Sequence, residues 1–113
     1  MKSYTDLEQS KELAEILPIE SADMYYTPYP NDEYWYDIPN FGKADLKFNQ
    51  LPCWSLTALL DVIPYCSLRR FVDGNWIVSA EFSLNGYRES QPNKSAVDAC
   101  VEMIITLQEQ KLL

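Results

Sequence analysis

The sequence predicts an α+β fold: a three-stranded antiparallel β-meander packed against helices, with an aromatic, acidic N-terminal segment wrapped over that body. Three observations carry the prediction. Residues 76–84 alternate apolar and polar side chains, the period-2 pattern of a half-buried strand. Asn85-Gly86 follows, a strong short hairpin signal, because a tight primed turn needs positive φ at both central residues. Val97, Cys100, Val101, Ile104 and Ile105 then recur at helical spacing and form an apolar face that can cover a sheet. The 113 residues suit one domain. Residues 1–52 read as an N-terminal helix plus a Tyr/Pro-rich acidic segment, and 53–113 as a helix-β-β-β-helix body.

The first helix begins near Thr5-Asp6-Leu7-Glu8, which fits a capping box with Thr5 as N-cap and Glu8 reaching back. Leu13, Ile16 and Leu17 supply its apolar stripe. Pro18 ends it, since the residue before a proline avoids the α region.

Residues 18–52 hold five of the seven prolines. Tyr25, Tyr26, Tyr29, Tyr34, Trp35 and Tyr36 crowd into one short stretch, interleaved with Asp23, Asp32, Glu33 and Asp37. Residues 23–26 and 35–38 read as short extended segments. Aromatic side chains at this density do not stay solvated, so the segment is expected to wrap the body. It either fills space between the first helix and the sheet or forms a binding surface, because Tyr and Trp are enriched at interface hot spots.

The second helix starts at Ser55, a good N-cap, with Trp54 and Leu59 placed as a hydrophobic staple. Leu56, Leu59, Leu60 and Ile63 make its buried face, and Pro64 stops it. Residues 68–72 read as a strand, and Asp73-Gly74-Asn75 as a turn. A three-residue loop would put Leu68 and Val72 on the Trp76 face, and a two-residue loop would put Phe71 there. In the long strand Trp76, Val78, Ala80, Phe82 and Leu84 share one face, opposite Ser79, Glu81 and Ser83. Residues 87–90 form the third strand. Ser95 with Asp98 resembles a capping pair for the last helix.

The net charge is −8. Ten acids and four bases fall in residues 1–50, seven acids and five bases in 51–113. Such a surface repels phosphate and disfavours nucleic acid as a partner. Arg69, Arg70, Arg88 and Lys94 offer at most a small basic patch on the open sheet face. The helix–three strands–helix order resembles double-stranded-RNA-binding domains, a likeness of order alone. No apolar run reaches the length of a membrane span, and residues 1–6 lack a signal peptide's hydrophobic stretch, so a cytoplasmic location is expected.

There is no histidine, so the commonest general base and a favoured metal ligand are missing. Cys53, Cys66 and Cys100 have no CxxC spacing and read as small buried hydrophobes. Cys53 precedes a helix N-terminus, where a thiolate would be stabilised, and is the one candidate nucleophile. Asp32, Glu33 and Asp37 do not fit a calcium loop. The isolated Gly42, Gly74 and Gly86 make no phosphate loop. The residues point to no cofactor, no metal and no catalytic set.

Ala22-Asp23-Met24-Tyr25-Tyr26, Pro52-Cys53-Trp54-Ser55-Leu56 and Asp98-Ala99-Cys100-Val101-Glu102-Met103 resemble short proteins of Bacteroides-like gut bacteria and their phages or integrated mobile elements. The resemblance implies a phage or mobile-element accessory protein and carries over no catalytic residue. The expected function is a non-enzymatic protein–protein interaction, or self-association, with Tyr25, Tyr26, Tyr29, Tyr34, Trp35 and Tyr36 as anchors. Alternatives are an acidic nucleic-acid mimic that blocks a basic host protein, and a small enzyme using carboxylates or Cys53.

Overall fold

A computed structural model describes residues 2–30, 34–82 and 86–113. Among these are three α-helices, α1 (Leu7–Ala14), α2 (Leu56–Val62) and α3 (Ala96–Glu109). Six strands form two antiparallel sheets: β1 (Met24–Tyr26), β2 (Asn40–Phe41), β3 (Leu51–Cys53), β4 (Ser67–Arg70), β5 (Trp76–Phe82) and β6 (Gly86–Glu89). The expected α+β class and C-terminal meander, in the order β4-β5-β6, are present. A second sheet, β2-β1-β3, was not expected; the Tyr/Pro-rich segment builds a sheet of its own.

Helix α1 begins one residue later than its sequence suggests. Asp6, not Thr5, is the N-cap: its carboxylate accepts from the Gln9 amide at 2.8 Å, and the Gln9 side chain accepts from the Asp6 amide at 3.1 Å. Thr5 is committed elsewhere. It is fully buried, its amide donates to the Trp54 carbonyl at 2.9 Å, and its hydroxyl accepts from the Trp54 amide at 3.1 Å. These long-range bonds stitch the N-terminal stretch to the start of α2, and Tyr4 bridges Ser55 beside them. Helix α2 starts as read, with the Ser55 hydroxyl accepting from the Ala58 amide at 3.2 Å. It ends where Ile63, before Pro64, turns extended.

The first hairpin has a three-residue loop, but it is Val72-Asp73-Gly74 rather than Asp73-Gly74-Asn75. Leu68 shares the Trp76 face as expected, whereas β4 ends at Arg70 and Val72 lies in the loop, fully exposed, instead of on that face. Leu68 opposes Val78 and Arg70 opposes Trp76, and the Phe71 amide donates to the Asn75 carbonyl at 2.8 Å. Gly74 closes the loop at φ 89°, a conformation a side chain would strain. The Asn85-Gly86 turn and the strand end at Ser83 and Leu84 fall on residues 83–85, outside the described set. The described register sets Gly86 opposite Phe82, inside β6.

The main core lies between β5 and the three helices. Val78 and Ala80 of β5 meet Val97, Cys100, Val101 and Ile104 of α3, joined by Leu13, Trp54 and Leu59. Trp54 is fully buried, and its indole donates to the Ser21 hydroxyl at 3.0 Å. Ser79, read as solvent-facing, is 5% exposed. Its face is covered because Arg69 and Glu89, on the strands flanking β5, form an ion pair at 2.8 Å above Ile77 and Ser79. A smaller core of Met24, Tyr26 and Cys53, edged by Tyr4, Leu7, Trp35 and Leu51, lies on one face of the β2-β1-β3 sheet. Among the described residues no helix is long and apolar enough to cross a membrane.

Candidate interaction surface

The chain leaving β1 doubles back on itself. The Tyr29 amide donates to the Tyr34 carbonyl at 2.9 Å, the Tyr36 amide donates to the Thr27 carbonyl at 3.0 Å, and Pro28 bridges Trp35. In an extended backbone neighbouring side chains point to opposite sides. Trp35 therefore turns into the small core while Tyr34 and Tyr36 turn outward. The Tyr29 and Tyr36 rings pack with centroids 4.3 Å apart at 58°. With Thr27, Asp37, Ile38 and Asn40 they line an open groove of about 520 Å³. A second hollow of about 460 Å³ lies between Tyr4, Phe41 and Leu56.

The six expected anchors separate into three groups. Tyr29, Tyr34 and Tyr36 are exposed. Tyr25 and Trp35 are half-buried. Gly42, at φ 131°, stands so close to Tyr25 that a Cβ there would come within 3.3 Å of the ring. Tyr26 is corrected from surface anchor to core residue. It is 2% exposed, its hydroxyl donates to the Thr5 carbonyl at 2.8 Å, and burial pushes that hydroxyl's pKa up. It points inward because Met24 and Tyr26 share the inner face of β1.

Sequence reasoning missed Ile38, Phe41, Leu46 and Phe48, each between 67% and 79% exposed. Phe41 lies in the two-residue strand β2 and Leu46 and Phe48 in a single 3-10 turn, elements too short to show a period in the sequence, so no pattern marked these side chains. With the three tyrosines, seven large apolar side chains between residues 29 and 48 are solvent-facing.

Cys53 does not keep its candidate role as nucleophile. It is fully buried, its thiol donates to the Thr5 carbonyl at 3.4 Å, and burial pushes its pKa up, against the activation that a helix N-terminus would give. Cys100 is also fully buried, and burial pushes it up to about 12. The Asp32 and Glu33 carboxylates lie outside the described residues, and Asp37 borders the groove. Among the described residues no three Cys, Asp or Glu side chains gather in a metal-binding group.

Arg69, Arg70 and Arg88 do not gather into the small basic patch that their sequence positions allowed. Arg69 and Arg70 are neighbours on a strand and face opposite sides: Arg69 pairs with Glu89, and Arg70 lies 5.7 Å over the Trp76 ring. Arg88 opposes Ala80 on the helix-covered face and donates to the Gln110 side chain at 2.8 Å. Compared with known proteins, the chain matches no family model, no curated protein and no solved structure.

Proposed function

We propose that this chain is a non-enzymatic protein-interaction domain, an accessory protein of a phage or mobile element that works in the cytoplasm. The observation that carries the reading is the group of seven exposed large apolar side chains between Tyr29 and Phe48. Scattered single apolar residues on a surface need no explanation, whereas apolar side chains that adjoin one another mark a contact site, and Tyr29, Tyr36 and Ile38 of this group line one groove. Aromatic anchors of this kind dominate binding energy at interfaces. The dispersed arginines and the net charge of −8 speak against a nucleic-acid partner. The accessory setting rests on the resemblance of residues 22–26, 52–56 and 98–103.

The test compares the wild-type chain with a variant carrying Tyr34→Ser, Ile38→Ser and Phe41→Ser, both tagged and recovered from the native host. Thermal melting first establishes that the variant is folded. A partner retained in stoichiometric amount by the wild type and lost by the variant is the expected result. Equal recovery by both, or recovery of no partner together with unchanged sedimentation of both, overturns the reading.

A further inference from the structure

We propose that the Tyr29–Tyr36 groove docks an extended, proline-containing peptide that carries a basic side chain, with Asp37 receiving the charge. The inference rests on the interaction reading above and names the chemistry of its partner. The groove combines two packed phenol rings with one carboxylate and the Asn40 amide. Flat aromatic walls suit pyrrolidine rings, and a polyproline II strand arrives already ordered, so docking it loses little conformational entropy. Such a strand has no internal hydrogen bonds, which leaves its carbonyls free to accept from the tyrosine hydroxyls and the Asn40 amide.

Charge selects between occupants. Residues 18–52 carry six acidic and two basic side chains. One of those bases, Lys43, is already bonded to the carbonyls of Glu20 and Ala22 at 2.6 and 3.0 Å. A second copy of the chain carries the same net charge of −8, and like charges across an interface are costly. A basic peptide is drawn in instead.

The test uses the full chain and a fluorescent peptide of alternating proline and leucine with arginine at both ends, read by anisotropy. Companion peptides replace proline by alanine, replace arginine by glutamate, or form a basic amphipathic helix. Saturable binding is expected for the proline–arginine peptide, weakened by about tenfold or more in Tyr36→Ala. Asp37→Asn should reduce both the affinity and its dependence on salt. Tyr87→Ala, on β6, should leave binding unchanged. Failure to saturate at about millimolar peptide, or equal binding of the alanine peptide, overturns the proposal. So does tighter binding of the helix, which would leave the general interaction reading standing. If the variant with three serines still holds its native partner, the underlying reading fails whatever this peptide does.

Discussion

The Lys2 ammonium lies 2.7 Å from the Asp98 carboxylate, so the second residue of the chain is tied to the first turn of the last helix. Asp98 also accepts from the Gln9 side chain at 2.8 Å, and Lys2 reaches Asp6 at 3.2 Å. One carboxylate thus holds the N-terminal stretch, α1 and α3 together.

This clasp makes stability depend on pH at both ends. Burial alone would raise the Asp98 pKa, but hydrogen bonds from Lys2, Gln9 and Ser95 outweigh it and hold it below the ordinary value. Burial alone would lower Lys2, but Asp98 and Asp6 outweigh it and hold it above 10.5. The Asp98 contribution is complete above about pH 4 and is lost as pH falls through its depressed folded value. The Lys2 contribution is complete below about pH 10 and is lost as pH rises through its raised value. The pair is partly exposed and screened, so Asp98→Asn should cost about 1 kcal/mol at pH 7. Urea titrations of both proteins should converge below about pH 3; an undiminished gap there would show that the loss is not electrostatic.

Ser55 has two tasks at the start of α2. Its hydroxyl accepts from the Ala58 amide and donates to the Asp23 carboxylate, which also receives the Ser55 amide at 2.9 Å. Ser55→Ala should therefore cost about 1–2 kcal/mol, the upper range for a lost helix cap. Asp23→Ala should cost a comparable amount, because it takes the acceptor from both the Ser55 hydroxyl and the Ser55 amide. The double variant should show a coupling of about 0.5 kcal/mol or more, because the two residues share one network. Chemical denaturation of the four proteins measures it, and strict additivity would contradict the shared bond.

The three thiols should differ in reactivity. Cys53 and Cys100 are fully buried with raised pKa values, while Cys66 is half-buried. Maleimide at neutral pH should label at most Cys66 in the native protein and all three in denaturant. Rapid native labelling of Cys53, located by mass spectrometry, would restore its candidacy as a nucleophile.

The C-terminal half was legible because its signals are local. Ser55, Pro64 and Ser95 set helix ends through bonds within a few residues, and the alternation through β5 is read from neighbours alone. The sheet of β1, β2 and β3 was not, since Tyr25 must find Asn40 on one side and Pro52 on the other. Two-residue and three-residue strands carry no period long enough to see. Thr5 misled for a related reason: a hydroxyl suited to a cap was claimed by Trp54 and Ser10 in the tertiary structure. Within the Tyr/Pro-rich segment, density singled out a stretch that includes exposed aromatic side chains. It could not separate Tyr26, on the inner face of β1, from Tyr34 and Tyr36, because that choice depends on which face of a strand meets a core.

Strands β4 and β6 are the outer members of their sheet among the described residues. Edges of that kind offer a template to other chains, and lysine is a common device for blunting them. Neither β4 nor β6 contains a lysine. Their charged residues are Arg69, Arg70, Arg88 and Glu89, and the overall charge of −8 adds a repulsion between copies that acts over only about 8 Å at physiological ionic strength. That added repulsion is a property of the buffer as much as of the chain: dilute salt lengthens its reach, and concentrated salt screens it.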